Sequence, residues 1–368
     1  MTTAFINGTI YSAQNIYDHH ALIVEGEYVK DIVNTENVPV VDKVVDLKGS
    51  SITAGFIDLQ IYGGGGVLFS EHLTVEALNT MTQAIVKSGT TNYFLTLATN
   101  TPEVFDQAIR IEAQYSHPSL MGIHFEGPYL NPLKKGAHVE KCIHVASLEE
   151  IEDLLEKSKG RVKMITLAPE FNHESVIKRL LDAGIIISAG HSNASFEEAT
   201  KGFNLGIQAV THLFNAMSSF HHRDTGLPGA VFANSTAVAS IIADGIHVNY
   251  EALKISKALL KERLFLITDA VAPTKSGPYI HVFNEDHYAL PDGTLSGSAL
   301  SQFQAVMNCV NHADIALDEA LRMANYYPAK LLGNPEIGHL ESGAKANIIQ
   351  FNMQKVEQVY LQGMAQLP

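Results

Sequence analysis

Residues 184–215 read GIIISAGHSNASFEEATKGFNLGIQAVTHLFN. Two apolar runs, 184–192 and 207–215, each reach a histidine near their end, His191 and His212. Between them Ser195 stands three residues before Glu198, the spacing of a capping box that starts a helix. A strand, a helix and a second strand in so short a span give two parallel strands with a helical crossover. The same rhythm extends both ways. Strand-like runs occur at 52–62, 90–99, 119–127 and 162–170, and again at 237–245 and 263–271. Together with the opening pair they make eight, and helical patterns fill most of the gaps. Thr101-Pro102 opens one helix with proline at its first position, and Ser147 with Glu150 repeats the capping-box spacing. Near-continuous apolar strands alternating with helices describe a parallel sheet buried on both faces. Eight such units fit a (β/α)8 TIM barrel. A doubly wound open sheet is the alternative on pattern alone. No G-x-G-x-x-G or phosphate-loop Lys follows any strand, and Gly63-Gly64-Gly65-Gly66 reads as a tight loop or a close backbone approach to a ligand.

Outside the barrel the pattern changes. Residues 1–50 hold short β-rich runs with Asn-Gly and Glu-Gly turn signals. From about 338 the chain again has short apolar runs, broken by Gly343, Asn352 and Gly363. The expected division is therefore a small β domain from 1–51 and 338–368 around a catalytic barrel at 52–337. The 368 residues are 46% hydrophobic and 17% charged, which suits a large buried core and excludes disorder as the main state. A formal net charge of −14 leaves no general footprint for nucleic acid or an anionic membrane. Cys142 and Cys309 stand in no motif, so neither a disulfide framework nor a cysteine zinc site is expected. With no secretory signal and no 18-residue apolar span, the expected compartment is the cytoplasm.

In a barrel the chemistry collects where strands end at the C-terminal face. The polar residues at those ends are Glu126, His191, His212, Asp244 with His247, and Asp269. Any one could be a hydrogen-bonded core group, but on successive strands they form a set. Two His and a carboxylate are a standard ligand set for a catalytic zinc with an open position. They also suit Fe(II) and other divalent metals. Metal-promoted attack by water needs a second carboxylate to carry the proton, and Asp269 on the eighth strand is the candidate.

These residues sit in GFIDLQIYGGGGVLF, HFEGPYLNPLKKGAH, SAGHSNASFEEA, THLFNAMSSFHHRDTGLPG, IIADGIHVN, LITDAVAP and DGTLSGSAL, in that order. The sequence closely resembles the N-acetylglucosamine-6-phosphate deacetylases of the amidohydrolase superfamily, nearly end to end. The resemblance implies a metal-bearing (β/α)8 barrel with a small β-sandwich formed from both termini. It implies hydrolysis of the acetamide of N-acetylglucosamine 6-phosphate to glucosamine 6-phosphate and acetate. By position, Glu126, His191 and His212 match the metal ligands, Asp269 the catalytic acid/base, and His247 a substrate contact that polarises the acetamide. Ala137, His138, Asn215 and Ala216 match positions lining the sugar pocket, and Leu295, Ser296 and Gly297 a loop near the acetyl group. Arg223 matches the phosphate-binding Arg that reaches in from a neighbouring subunit, so a homodimer is implied.

Many amidohydrolases carry H-x-H at the end of the first strand and hold two metals; here the place reads Gln60-Ile61-Tyr62. One divalent ion per subunit is expected, zinc foremost, with iron, cobalt or manganese as alternatives. Lys134 and Lys135 read as a solvated pair, Glu170 as structural, and His222 as a possible helper of Arg223 at the phosphate. Two other readings stand beside this one. The first is a superfamily hydrolase acting on a different N-acyl amino sugar or a cyclic amide. The second is a non-enzymatic sensor, which the intact set of ligands and acid/base disfavours.

Overall fold

The computed structural model describes residues 1–13 and 15–366. Eight strands form one sheet in chain order: β1 Phe56–Ile61, β2 Thr90–Ala98, β3 Leu120–Glu126, β4 Val162–Leu167, β5 Ile186–Ala189, β6 Ala209–Val210, β7 Val238–Ile241 and β8 Leu264–Leu266. From β2 to β8 the neighbours pair in parallel. The sheet then closes on itself. The Asp269 N–H donates to the Gln60 carbonyl at 3.0 Å, and the Tyr62 N–H to the Ala270 carbonyl at 2.9 Å. Ile61 bridges Ala270 in parallel. The molecule is thus the expected barrel rather than the open sheet, with every one of the eight expected strands present.

Local chemistry explains the crossovers. The helix Phe196–Leu205 starts on the expected capping box: Ser195 accepts from the Glu198 N–H while Glu198 accepts from the Ser195 N–H. It ends where Gly206 takes a left-handed conformation at φ +115°. The helix Leu148–Ser158 has only half a box. Ser147 caps Glu150, but the Glu150 carboxylate faces His144 Nε2 at 2.9 Å and accepts from the Tyr129 hydroxyl at 3.1 Å.

The stretch 52–62, expected as one strand, is two. Ser51–Ala54 pairs with Ile348–Phe351 in a different sheet, and β1 begins at Phe56. Gly55 lies between them, and a Cβ there would sit 1.9 Å from Thr91 Oγ1.

The chain divides into two compact units, one of residues 1–58, 84–92 and 301–368, the other of 59–83 and 93–300. The first holds a four-stranded sheet built on Thr2–Ile6 and a six-stranded sheet in which strands of both termini pair. Phe5, Leu22 and Leu47 pack with Ile52, Ile348 and Tyr360 into one apolar core. The site described next lies wholly in the second unit. None of the helices among the described residues is long and apolar enough to cross a membrane.

Candidate metal centre

Three barrel strands deliver three donor atoms to one point. Glu126 is the last residue of β3, while His191 and His212 lie just past β5 and β6. Glu126 Oε1 is 2.8 Å from His212 Nε2 and 3.3 Å from His191 Nε2, and the two nitrogens are 3.2 Å apart. Donor atoms around a tetrahedral ion with bonds of about 2.0–2.1 Å stand about 3.4 Å from one another. The triangle therefore fits a single divalent cation. Among the described residues it is the cluster of His, Cys, Asp and Glu able to hold one.

The three side chains are also oriented for it. The Lys134 carbonyl, which can only accept, lies 2.8 Å from His191 Nδ1. That ring is therefore protonated at Nδ1 and offers a bare Nε2. Glu126 Oε2 accepts from the Tyr62 hydroxyl and lies 3.0 Å from His138 Nε2. The Thr99 N–H donates to His138 Nδ1 at 3.2 Å, so His138 carries its proton on Nε2 and donates it to Glu126. Burial opposes the charge on Glu126, but the surrounding imidazoles outweigh it and hold the carboxyl well below its usual range. Burial keeps His138 neutral, its pKa pushed down to about 4.

Gln60 and Tyr62 occupy the place of the superfamily's H-x-H, and the structure shows what they do there. Gln60 Nε2 lies within donating distance of Asp269 Oδ1 at 2.8 Å, Tyr62 Oη at 2.9 Å and Glu126 Oε1 at 3.0 Å. Two N–H bonds serve three acceptors, so the amide knits both carboxylates together. Tyr62 has its pKa raised well above 10, first by burial and then by Glu126 and Asp269. It stays a neutral hydrogen-bond donor.

Three of these side chains stand on unusual backbone. His191, His212 and Asp269 have φ of +46°, +31° and +55°. Left-handed conformation is costly for residues with a Cβ and clusters at functional sites. Here it turns each strand end so that its side chain faces the barrel mouth.

The mouth opens into a cavity of about 380 Å³. It brings together all the expected site residues but one: Glu126, Ala137, His138, His191, His212, Asn215, Ala216, His247, Asp269, Leu295, Ser296 and Gly297. Arg223 does not line it. It lies with His221 and His222 in an exposed turn of the same chain. Lys134, read as half of a solvated pair, lines the cavity. Lys135 instead pairs with Glu140 at 2.9 Å. Spacing could not separate the two lysines, because they are adjacent at the end of a single 3-10 turn, Pro132–Lys134, and diverge there.

Glu170 is a bracket: it accepts from Asn131 Nδ2, Asn193 N and Ser192 Oγ at 2.9, 2.6 and 2.7 Å. Sequence reasoning missed Tyr279 and His281, which also line the cavity. They lie in the long excursion after β8, away from the ends of the barrel strands, and no pattern marked them.

Two family models match. An amidohydrolase family model covers residues 51–365, and a NagA composite domain model covers residues 3–52. The chain is 34% identical over 365 residues to N-acetylglucosamine-6-phosphate deacetylase of Haemophilus influenzae, covering 95% of each. It is 36% identical over 330 residues to an N-acetylgalactosamine-6-phosphate deacetylase of a Shewanella strain, covering 86% of this chain and 83% of that one. The crystal structure of the Pasteurella multocida N-acetylglucosamine-6-phosphate deacetylase matches with a TM-score of 0.95 at 36% identity, covering 100% of both chains.

Proposed function

Because this chain belongs to the amidohydrolase family, we infer that it is a metal-dependent deacetylase of N-acetyl-D-glucosamine 6-phosphate, releasing D-glucosamine 6-phosphate and acetate. The observation that carries the chemistry is the Glu126–His191–His212 triangle with Asp269 and His247 lining the same cavity. Near-full-length similarity to the Haemophilus deacetylase carries the substrate.

Glu126, His191 and His212 would hold a divalent cation, which when bound would supply Lewis acidity towards a carbonyl and a lowered pKa for water. The residues do the rest. Asp269, held at Oδ1 by Gln60, takes a proton from the attacking water as its oxygen bonds to the acetamide carbon. His247 faces the developing oxyanion. Asp269 then returns the proton to the sugar nitrogen as the C–N bond breaks. No covalent acyl-enzyme is needed. His138, Ala137, Asn215 and Ala216 line the sugar pocket, and Leu295, Ser296 and Gly297 flank the acetyl group. The 6-phosphate is met by Lys134 at the cavity wall and by Arg223, which comes from a second copy of the chain in a homodimer.

Zinc is the proposed metal, at one ion per subunit. Gln60 and Tyr62 support that stoichiometry, since they bridge carboxylates where a second ion would need ligands. The cytoplasm is the proposed compartment, because a sugar phosphate does not cross a membrane unaided.

A second reading is the C4 epimer, N-acetylgalactosamine 6-phosphate, which the similarity to the Shewanella enzyme favours. The deciding experiment measures acetate release from both epimers, with metal content on the same preparation. The expected result is a higher kcat/KM for the gluco epimer and about one metal per chain. A higher value for the galacto epimer would replace the substrate. Two metals per chain would sink the reading of Gln60 and Tyr62. No acetate from either sugar with the metal site filled would reject the deacetylase.

A further inference from the structure

Asp244 lies three residues beyond β7, at the start of the turn that carries His247. Its Oδ1 accepts from the backbone N–H groups of Ile246 and His247 at 2.9 and 2.8 Å. Its Oδ2 lies 2.6 Å from His247 Nδ1. Both side chains are buried, 9% and 6% exposed. One carboxylate thus shapes the backbone under His247 and grips its ring. The turn is tightly fitted. Gly245 has φ +77°, and a Cβ there would lie 2.6 Å from the Tyr250 ring.

We propose that Asp244 is a positioning residue that fixes His247 with its proton on Nδ1 and leaves Nε2 as the nitrogen free for the substrate. The chemistry of the pair requires this. An ionised carboxylate only accepts, so a hydrogen bond at Nδ1 puts the proton on that atom. A neutral ring would then present a bare Nε2. To donate to a carbonyl oxygen, His247 must therefore act as an imidazolium, and the buried Asp244 carboxylate balances that charge. This role rests on the deacetylase reading above for its activity arm, but the placement of the proton does not.

The alternative is that Asp244 only builds the turn. Asp244→Asn separates the two, since its amide oxygen can still accept from both N–H groups while its NH2 faces Nδ1 and moves the ring proton to Nε2. The first measurement is 15N-histidine NMR of the unliganded holoenzyme, with His247 assigned by the signal lost in His247→Gln. The wild type should show a protonated Nδ1, and Asp244→Asn a neutral ring with its proton on Nε2. A bare Nδ1 in the wild type would overturn the proposal whatever the substrate proves to be.

The second measurement is a double-mutant cycle. With metal content and Tm held, Asp244→Asn should lower kcat by about 10²-fold or more, with little change in KM, because its neutral Nε2–H stabilises an oxyanion less than the imidazolium that Asp244 supports. In the His247→Gln background, where the Gln amide donates without help, the same substitution should change kcat by less than about threefold. Equal losses in both backgrounds, or none in the wild type, would overturn the role. If Asp244→Asn does not fold, the wild-type spectrum alone decides.

Discussion

His281 shows what a residue can contribute without belonging to any motif. It is buried in the cavity wall, with Nδ1 2.9 Å from Ser296 Oγ. Burial pushes its pKa down from 6.5 to about 4. The folded state therefore keeps this ring neutral where the unfolded chain would protonate it. Its contribution to stability is complete above about pH 6.5 and is lost as pH falls from there towards 4. His281→Asn removes the titration. The difference in Tm between wild type and variant should be largest near neutral pH and shrink steadily below pH 6. A difference independent of pH would mean that the ring titrates alike in the folded and unfolded chain. Sequence could not single out His281, because the chain has 17 histidines and neither spacing nor strand position marks this one. The candidate ligands were legible for the opposite reason. Glu126, His191 and His212 interrupt apolar runs where a barrel places its chemistry, and a single donor type at each end leaves little choice. What the sequence did not reveal was orientation: the Lys134 carbonyl behind His191, Thr99 behind His138 and Asp244 behind His247 are all contacts between distant or looped segments.

At the scale of elements, the eight strands were readable because parallel strands buried on both faces leave long apolar runs. Their lengths were not. β6 spans only Ala209–Val210 within an apolar run of 207–215, since the chain turns away early to aim His212. The long segment after β8 that supplies Tyr279, His281 and Ser296 holds only a short hairpin, Val282–Asn284 with His287–Ala289, outside the barrel sheet, so the barrel's rhythm does not reach it. Elements are held in register by brackets such as Glu170. It follows β4 and ties Asn131, in the loop after β3, to Ser192 and Asn193 after β5. The same loop after β3 supplies the carbonyl that orients His191. Glu170→Ala removes an acceptor from two side chains and one backbone N–H. It should cost about 1–3 kcal/mol of stability and weaken metal binding about 10- to 100-fold by loosening the support of a ligand. Melting curves and competition with a chelator would measure both. If metal affinity stays at the wild-type value while Tm falls, the bracket serves folding alone.

At the scale of the whole molecule, one expected residue stands apart. Arg223 is exposed and does not reach the cavity of its own chain, although a dianionic phosphate calls for a guanidinium fork. A second subunit would resolve this, and mixed dimers test it without any structure of the assembly. Arg223→Ala should raise KM for the phosphorylated sugar, and Asp269→Asn should lower kcat by several orders of magnitude, so each alone is nearly silent at low substrate. When the two variants are dissociated, mixed in equal amounts and reassembled, half the dimers are hybrids by random pairing. In a hybrid, the chain with intact Asp269 receives Arg223 from its partner, so one of its two sites is complete. Activity at low substrate should therefore recover to about a quarter of wild type, because symmetric exchange of one arm leaves the other site doubly defective. Recovery confined to the sum of the two parents would place Arg223 outside the neighbouring site. The phosphate would then depend on Lys134 and the cavity's own backbone.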